Sequence, residues 1–337
     1  MIEKLLRPHI QNLKPYVSAK SMAPERLPIC LDANESPLGT YRSYPDGNAT
    51  DLKKAIAHQK NSLPEQIFVG NGSDEVIDLL IRLFCRPQKD AICCLSPTYS
   101  MYAILAAQHE VKTIDVPLNE DFSLPHAQLM AVLEEQRPKI LFLCSPNNPT
   151  GNSMENMEAI VHQFKGIVVV DEAYIDFSKE PSLSSKINQY PNLVVLQTLS
   201  KAWGMAALRI GMAFSNEKII NWLHLIKPPY NIGGVHQNLA IQVLQETIDF
   251  EEQVRILVAE REKMRVALQR IACVVQVFPS EANFFLVAFK DKKLAFQRLK
   301  DTGILVRDRS SQVENCLRIT IGTSRENEMV LNVLSEI

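Results

Sequence analysis

The sequence has 337 residues, of which 46% are hydrophobic and 22% charged, and its formal net charge is −2. This composition excludes a disordered chain and a basic surface for nucleic acid, and no apolar run is long enough to span a membrane. The charged, amphipathic start of the chain is unlike a signal peptide, and the seven cysteines lack metal-ligand spacing. We therefore expect a cytoplasmic globular protein with reduced cysteines, no metal site and no nucleic-acid or membrane partner.

The first 48 residues contain many prolines and glycines and little periodicity, which predicts an extended arm. Two stretches, 31–37 and 41–46, place polar side chains next to proline and suit the binding of a ligand group, although a solvated loop has the same pattern. We predict an arm over 1–48 that packs with the small domain and a partner subunit. A large domain over 49–237 and a small α+β domain over 238–337 follow it.

A glycine turn separates a short strand predicted over 67–69 from a helix predicted over 76–84. The turn contains Gly72, Ser73 and Asp74. Because a helix start exposes backbone N–H groups and the positive end of the helix dipole, this turn can bind a phosphate. The alternative is that Ser73 or Asp74 only caps the helix.

Predicted strands and helices alternate through the first two thirds of the chain. Strands are predicted over 91–95, 111–116, 140–144, 166–170 and 193–196, and helices over 50–60, 101–108 and 124–136. This order predicts an α/β fold with a mostly parallel, doubly wound sheet that binds ligands at the carboxyl ends of its strands. Tyr99 and Asn147 each follow such a strand end.

An acidic residue, Asp171, directly follows the apolar strand over 166–170. A buried acid in that place costs free energy unless it is paired, although Asp171 could instead cap a following helix. Tyr174 lies three residues later, and Lys201 lies where the next predicted strand ends. We therefore expect Asp171 and Lys201 to face one pocket.

Lys201 lies between Ser200 and Arg209 in a stretch with little other charge. Desolvation and a neighbouring cation favour the neutral amine, which is a nucleophile, while Arg209 and Ser200 offer donors to a phosphate. In the alternative interpretation, Lys201 and Arg209 only extend their charged ends to solvent from the edge of a buried helix. On this stretch alone, the two interpretations rank equally.

The last hundred residues predict an α+β domain. One or two charged helices are predicted over 238–271, and strands over 274–278, 284–287, 304–306 and 317–321. Arg307, Asp308 and Arg309 follow one of these strands and have the composition of a solvated charged turn.

The predicted pocket suits pyridoxal 5'-phosphate, whose aldehyde needs a lysine, whose ring nitrogen needs a carboxylate and whose phosphate needs a helix start and an arginine. The ordered motifs Ser-Pro-Asn-Asn-Pro-Thr-Gly, Asp-Glu-Ala-Tyr, Thr-Leu-Ser-Lys and Leu-Arg-Ile-Gly resemble the fold type I, aspartate-aminotransferase-like superfamily of pyridoxal-phosphate enzymes. Residues 31–37 and 316–323 are most similar to the histidinol-phosphate aminotransferase family within it.

This resemblance implies a role for individual residues. Lys201 would form the Schiff base and carry the proton, and Asp171 would pair with the ring nitrogen. The other implied cofactor ligands are Asn147 and Tyr174 at the ring hydroxyl, Tyr99 on the ring face, Gly72, Ser73, Asp74, Ser200 and Arg209 at the phosphate, and Tyr44 from the other subunit of a homodimer. The implied substrate ligands are Arg318 for the α-carboxylate and Arg307 for the substrate's phosphate, helped by Tyr16 and Asn34.

The resemblance further implies ping-pong transamination between L-histidinol phosphate and 2-oxoglutarate, giving imidazole acetol phosphate and L-glutamate. A threonine-phosphate decarboxylase or an aromatic aminotransferase shares much of this pattern. A non-catalytic relative that binds effectors is a third alternative, against which the intact Lys201 and Asp171 argue. Trp203 and Met205 depart from the family's pattern, and the chain is short for the family, so the shape of the pocket and the contacts of the arm stay open.

Overall fold

The computed structural model describes residues 2–16, 29–245 and 247–337, with the backbone alone for 247–249, so residues 1 and 17–28 of the predicted arm lie outside the described residues. The strands are β1 (Ile67–Asn71), β2 (Ala91–Ser96), β3 (Lys112–Pro117), β4 (Ile140–Cys144), β5 (Ile167–Asp171), β6 (Leu193–Thr198), β7 (Ile210–Ser215), β8 (Val274–Val277), β9 (Phe284–Phe289), β10 (Arg307–Asp308) and β11 (Cys316–Thr320). The α-helices are α1 (Thr50–Lys60), α2 (Ser73–Phe84), α3 (Met101–Gln108), α4 (His126–Gln136), α5 (Met157–Gln163), α6 (Glu217–Ile226), α7 (Gly234–Leu244), α8 (Thr247–Leu268), α9 (Lys292–Asp301) and α10 (Ser324–Ser335). Of these elements, α5, α6, α9, α10, β7 and β10 are not among the predicted ones.

Seven strands form one large sheet in the order β1-β7-β6-β5-β4-β2-β3. The neighbours from β3 to β6 pair in parallel, while β7 runs antiparallel to both β6 and β1. Continuous apolar runs suit strands that are buried on both faces. Accordingly, Val168 and Val170 pack into one hydrophobic cluster and Val169 packs into another on the opposite face. The predicted α/β fold with a mostly parallel sheet is confirmed.

The direction of β7 brings an arginine to the ligand-binding edge of this sheet. The carboxyl ends of β1, β2, β4, β5 and β6 lie at one edge. Because β7 runs the other way, its first residues lie at that same edge, and Arg209 directly precedes them. This edge of the sheet therefore contains the carboxyl ends of its parallel strands and the amino end of β7.

A smaller antiparallel sheet has the order β10-β11-β9-β8. Its inner side chains, such as Phe285 and Leu317, pack in a separate hydrophobic cluster to which α8, α9 and α10 contribute. The strand predicted over 304–306 is not formed, because pairing with β11 starts only at Arg307 and ends one residue later. The edge strand is thus short, and its arginine lies directly opposite Arg318.

The division into arm, large domain and small domain stays a prediction. The start of the arm packs on the large sheet, since Ile2, Leu6 and Ile10 are buried in the cluster that contains α2. Farther along the arm, Leu31 and Tyr41 expose 89% and 81% of their surface. The arm is therefore anchored at its start, while its later part presents apolar side chains to the outside.

Within the part of the chain that the structure describes, every helix is too short or too polar to cross a membrane. No three His, Cys, Asp or Glu side chains among the same residues are grouped as metal ligands would be. The cysteines carry free thiols, and all of them except Cys30 are buried.

Candidate active site

An open cleft of about 170 Å³ lies at the carboxyl edge of the large sheet. Residues of β11 and the residue after β10, both from the small sheet, also line it. The predicted residues that line it are Gly72, Ser73, Asp74, Tyr99, Asp171, Tyr174, Ser200, Lys201, Arg209 and Arg318. The lining residues that were not predicted are Cys144, Asn148, Ala173, Thr198 and Arg309. Five predicted residues, Asn147, Tyr44, Tyr16, Asn34 and Arg307, are not among the lining residues.

The end of the cleft that was predicted to bind phosphate is formed by the start of α2 and by Arg209. Gly72 has a φ of 76° and donates its N–H to the Arg209 carbonyl at 2.7 Å. No side chain caps α2, so the interpretation of Ser73 or Asp74 as a cap does not apply. The Arg209 guanidinium lies 3.7 Å from the Asp74 carboxylate, beside this helix start. Free helix N–H groups next to a guanidinium form an anion site.

Two glycines keep this anion site compact. A Cβ on Gly72 would lie 2.4 Å from Nη2 of Arg209, so a side chain there would displace the guanidinium. A Cβ on Gly211 in β7 would lie only 2.1 Å from the backbone nitrogen of Ser73. Glycine at both positions therefore allows the backbone of α2 to approach β7 closely, and this approach brings Arg209 to the helix start.

Asp171 is buried at the end of β5, with 3% of its surface exposed. The Tyr102 hydroxyl donates to its Oδ2 at 2.7 Å, and the Ala173 N–H donates to its Oδ1 at 3.1 Å. Burial raises the pKa of Asp171, and these two hydrogen bonds oppose the rise. Both donors are neutral, so the carboxylate is suited to a cationic group of a ligand.

Tyr102 was not predicted, because no feature of the sequence around it indicates that its hydroxyl has a hydrogen-bonding role. It is fully buried, stacks on Phe142 with ring centroids 4.6 Å apart and meets Tyr99 edge-on at 5.5 Å. A buried tyrosine hydroxyl needs a hydrogen-bond partner, and Asp171 is that partner here. Tyr102 therefore positions both Asp171 and the ring of Tyr99, which lines the cleft.

Replacing Tyr102 with phenylalanine should move the acidic limb of the pH profile of kcat/KM to higher pH. The hydroxyl favours the ionised carboxylate, so its removal raises the pKa of Asp171 further. A hydrogen bond to a charged group contributes about 1.5–3 kcal/mol, which predicts a loss of about tenfold or more below neutral pH. Tyr190→Phe, which removes a hydroxyl bonded to Glu158 on another part of the surface, is the control. An unchanged profile for Tyr102→Phe would contradict this role.

Lys201 lies in the same cleft, three residues after β6, with its Nζ 5.6 Å from the ring centroid of Tyr174. The surrounding protein lowers the pKa of Lys201, first by excluding water and then through the charge of Arg318, while Asp171 opposes the shift. A lower pKa increases the fraction of neutral, nucleophilic amine. The residues between Lys201 and Arg209 form turns and a 3-10 helix at Ala206–Leu208, so neither side chain extends from a buried α-helix.

Asn147 does not face the cleft, and the structure places its neighbour Asn148 there instead. Asn147 is completely buried and holds its own turn together: its amide donates to the Pro97 carbonyl and the Thr150 hydroxyl, both at 2.8 Å. Its carbonyl oxygen accepts from the Thr98 hydroxyl at 2.9 Å. Asn148, by contrast, donates to the Tyr174 hydroxyl at 3.4 Å. Asn148, and not Asn147, therefore lies where the side chain predicted to bind a ring hydroxyl was expected.

Alanine variants of the two asparagines should separate stability from activity. Asn147→Ala leaves buried partners unsatisfied and should lower the free energy of unfolding by about 1–3 kcal/mol, as measured by denaturant titration. Asn148→Ala should leave that free energy nearly unchanged while it lowers kcat/KM about tenfold or more. The reverse pattern, an unstable Asn148→Ala and an inactive but stable Asn147→Ala, would return the role to Asn147.

Two arginines, Arg318 and Arg309, form the side of the cleft that belongs to the small sheet. The Arg318 guanidinium lies over the Phe284 ring, with Cζ 5.1 Å from its centroid, and Nη1 donates to the Asn148 side-chain oxygen. Arg307, which was predicted to bind a substrate phosphate, is exposed on β10. Arg309 was predicted to be part of a solvated turn. Because residues two apart on a strand point to the same face, the sequence could have identified it as a neighbour of Arg307.

The arm residues that were predicted to reach a ligand lie outside the cleft of their own chain. Tyr44 is half-exposed and stacks on Tyr230, with ring centroids 4.6 Å apart. Tyr16 and Asn34 are exposed. The binding roles of these three residues therefore stay predictions.

Trp203 and Met205, which depart from the family's pattern, are buried in the core and not in the cleft. Trp203 stacks on Phe250 with ring centroids 3.7 Å apart. These two residues therefore fill space behind the segment that carries Lys201, and they do not shape the pocket directly.

Comparison with known proteins shows which proteins the chain resembles. The family model for class I and II aminotransferases matches residues 23–334. Over 342 residues the chain is 44% identical to a histidinol-phosphate aminotransferase from Cytophaga hutchinsonii, with 99% of this chain and 98% of the relative covered.

Two solved structures of histidinol-phosphate aminotransferases share the fold. The one from Clostridium acetobutylicum gives a TM-score of 0.81 and covers 88% of this chain and 90% of its own. The one from Sinorhizobium meliloti, solved in complex with pyridoxal-5'-phosphate, gives 0.80 and covers 90% of this chain and 89% of its own. Each is 24% identical to this chain, so the two structures support the fold alone.

Proposed function

The chain belongs to the family of class I and class II aminotransferases, and from that membership we propose that it transfers the amino group of L-histidinol phosphate to 2-oxoglutarate. The products are imidazole acetol phosphate and L-glutamate, and the reaction belongs to histidine biosynthesis in the cytoplasm. The observation that carries the proposal is 44% identity over 99% of the chain to a relative with this name. A cleft that combines an amine, a buried carboxylate and several arginines supports it.

Pyridoxal 5'-phosphate fits this cleft as the cofactor. Gly72 leaves room beside the start of α2, where free N–H groups and Arg209 would hold the phosphate. The buried carboxylate of Asp171 would pair with the ring nitrogen, and Tyr174 and Asn148 would hydrogen-bond the ring hydroxyl. When bound, the cofactor supplies a carbonyl group that an amine attacks and a ring that withdraws electrons from the substrate carbon.

The protein's own groups then orient the substrate and move its proton. Lys201 would hold the cofactor through its amine, and when that amine is free it would serve as the base that accepts and returns the substrate's proton at Nζ. Its lowered pKa favours the neutral amine that both roles need. Asp171, held by Tyr102, keeps a negative charge at the buried end of the site. Arg318 binds a substrate carboxylate with a planar fork of donors.

We also propose that two copies of the chain form a homodimer with shared active sites. The arm supports this, because Leu31, Leu38 and Tyr41 expose at least 80% of their surface to the outside of a single chain. Tyr44 would reach the phosphate of the partner's cofactor, and Tyr16 and Asn34 would approach the substrate together with Arg307. Light scattering should give the mass of two chains in solution.

A decarboxylase of threonine phosphate is the second candidate function. Arg309 and Arg318 in the cleft would hold any substrate with an anionic tail, so they favour this enzyme over an aromatic aminotransferase, whose substrates lack that charge.

A panel of amino donors tests the proposed substrate. The cofactor-loaded enzyme is incubated with 2-oxoglutarate and, in separate reactions, with L-histidinol phosphate, L-threonine phosphate or L-phenylalanine, and glutamate and carbon dioxide are measured. The proposal predicts the highest rate of glutamate formation with histidinol phosphate and no carbon dioxide. Carbon dioxide release from threonine phosphate without glutamate formation would replace the proposal with decarboxylation.

A further inference from the structure

Three arginines lie together on the edge of the small sheet that faces the cleft. Arg307 on β10 lies directly opposite Arg318 on β11 in the antiparallel ladder. The ladder continues past β10, because the Arg309 N–H donates to the Cys316 carbonyl at 3.1 Å. Residues two apart on an extended strand, and residues opposite each other on paired strands, point to the same face. Arg307, Arg309 and Arg318 therefore share one face.

The residue between Arg307 and Arg309 points elsewhere. Asp308 pairs with Lys292 at 2.6 Å and also accepts hydrogen bonds from Ser310. The only carboxylate on this edge strand is therefore neutralised away from the arginines, although it is adjacent to both in sequence.

The arginine face lacks a counter-charge. Among the residues that the structure describes, none of the three arginines forms an ion pair with a carboxylate. The Nε atoms of Arg309 and Arg318 are buried without a hydrogen-bond partner. Burial, together with like-charge repulsion from Arg318 and Arg307, lowers the pKa of Arg309 to about 10. Such a cluster needs an anion to offset the repulsion.

Depth in the cleft distinguishes the three side chains. Arg309 and Arg318 line the cleft, whereas Arg307 is exposed and is not among the lining residues. Arg318 already donates to Asn148, which leaves Arg309 as the inner guanidinium with an unused face. Guanidinium pairs suit a group with two negative charges, because each can donate two parallel hydrogen bonds.

We propose that Arg309 is a specificity-determining residue, which together with Arg318 binds the two negative charges of each substrate. In one half-reaction both charges belong to a phosphate monoester. In the other they belong to the two carboxylates of 2-oxoglutarate, of which Arg318 binds one and Arg309 binds the other. This inference rests on the proposed function for the identity of the two substrates. The chemistry of the ligand does not depend on that identity, because the same two arginines would bind any small dianion that reaches the cleft.

A substitution series at Arg309 tests the inference. Arg309→Gln removes the charge and keeps hydrogen-bonding capacity, Arg309→Lys keeps the charge without the fork, and Arg325→Gln on the exposed face of α10 is the matched control. For each variant, kcat/KM is measured with L-histidinol phosphate, 2-oxoglutarate and L-phenylalanine. Calorimetry on the cofactor-loaded protein then gives the Kd of maleate, a dicarboxylate that cannot react, and of propanoate, which carries one charge.

We expect Arg309→Gln to lower kcat/KM about 100-fold for both dianionic substrates and to raise the Kd of maleate by a similar factor. The values for phenylalanine and propanoate should change less than about threefold, since Arg318 remains, and Arg309→Lys should recover part of the loss. An equal loss for the ligands with two negative charges and for those with one carboxylate, or no loss, would overturn the inference. If the parent enzyme does not use histidinol phosphate, the proposed function fails, and the maleate and propanoate constants still decide the role of Arg309.

Discussion

Replacing Lys201 with alanine should abolish turnover, with a loss of about 10⁴-fold or more, because one amine serves as nucleophile and as proton carrier. The lysine lies in the cleft, and its pKa is lowered by burial and by Arg318, which favours the neutral amine that both roles require. The variant should also lose the visible absorbance that arises when the cofactor is joined to this lysine.

The matched control is Lys300→Ala, which removes an exposed lysine near the end of α9. It should retain full activity and the cofactor absorbance of the parent enzyme. Full activity in Lys201→Ala itself would refute the assignment of the whole cleft, since Asp171 and Arg209 have no catalytic purpose here without an amine.

Replacing Asp171 with asparagine should lower kcat about 10³-fold while the fold is retained, since it removes a preorganised charge from a buried site. Asparagine has the same shape as aspartate and can still bond to Tyr102 and to the Ala173 N–H. A loss below about tenfold would show that Asp171 has a structural role and does not pair with the ring nitrogen. Asp301→Asn, at the exposed end of α9, is the control.

The same variant should make the cofactor-free protein more stable above the ordinary pKa of an aspartate. Burial raises the pKa of Asp171 in the folded state, so folding disfavours the ionised form. This destabilisation is absent at low pH and grows as the pH rises from the unfolded pKa through the folded one. We therefore expect Asp171→Asn to raise the midpoint of thermal unfolding of the cofactor-free protein by more at pH 8 than at pH 4. A larger advantage at pH 4 would contradict this.

The sequence predicts the parallel part of the large sheet well, for a local physical reason. Strands buried on both faces are continuous apolar runs, and the runs at 140–144 and 193–196 match the start of β4 and β6. In contrast, β7 is not predicted, because Gly211 interrupts its apolar run. That glycine is required by the close approach of Ser73, a contact between residues far apart in the sequence. Tertiary packing therefore overrides the local preference.

The residue types of the candidate site were predictable, but the choice between neighbouring residues was not. Asn147 and Asn148 are chemically identical, and only the folded turn decides which amide is buried in it and which faces the cleft. Arg307 and Arg309 have equivalent side chains, and only their depth relative to the cleft distinguishes them. The assignment of such pairs depends on the path of the backbone.

We expect the amino nitrogen of histidinol phosphate to pass to 2-oxoglutarate on this enzyme. The most direct test is to incubate the cofactor-loaded enzyme with L-histidinol phosphate labelled with ¹⁵N at its amino group and with unlabelled 2-oxoglutarate, and to follow both by mass spectrometry. Transfer of the amino group predicts ¹⁵N-labelled glutamate in amounts equal to the imidazole acetol phosphate formed. Unlabelled glutamate, or consumption of neither substrate by an enzyme that is loaded and folded, would contradict it.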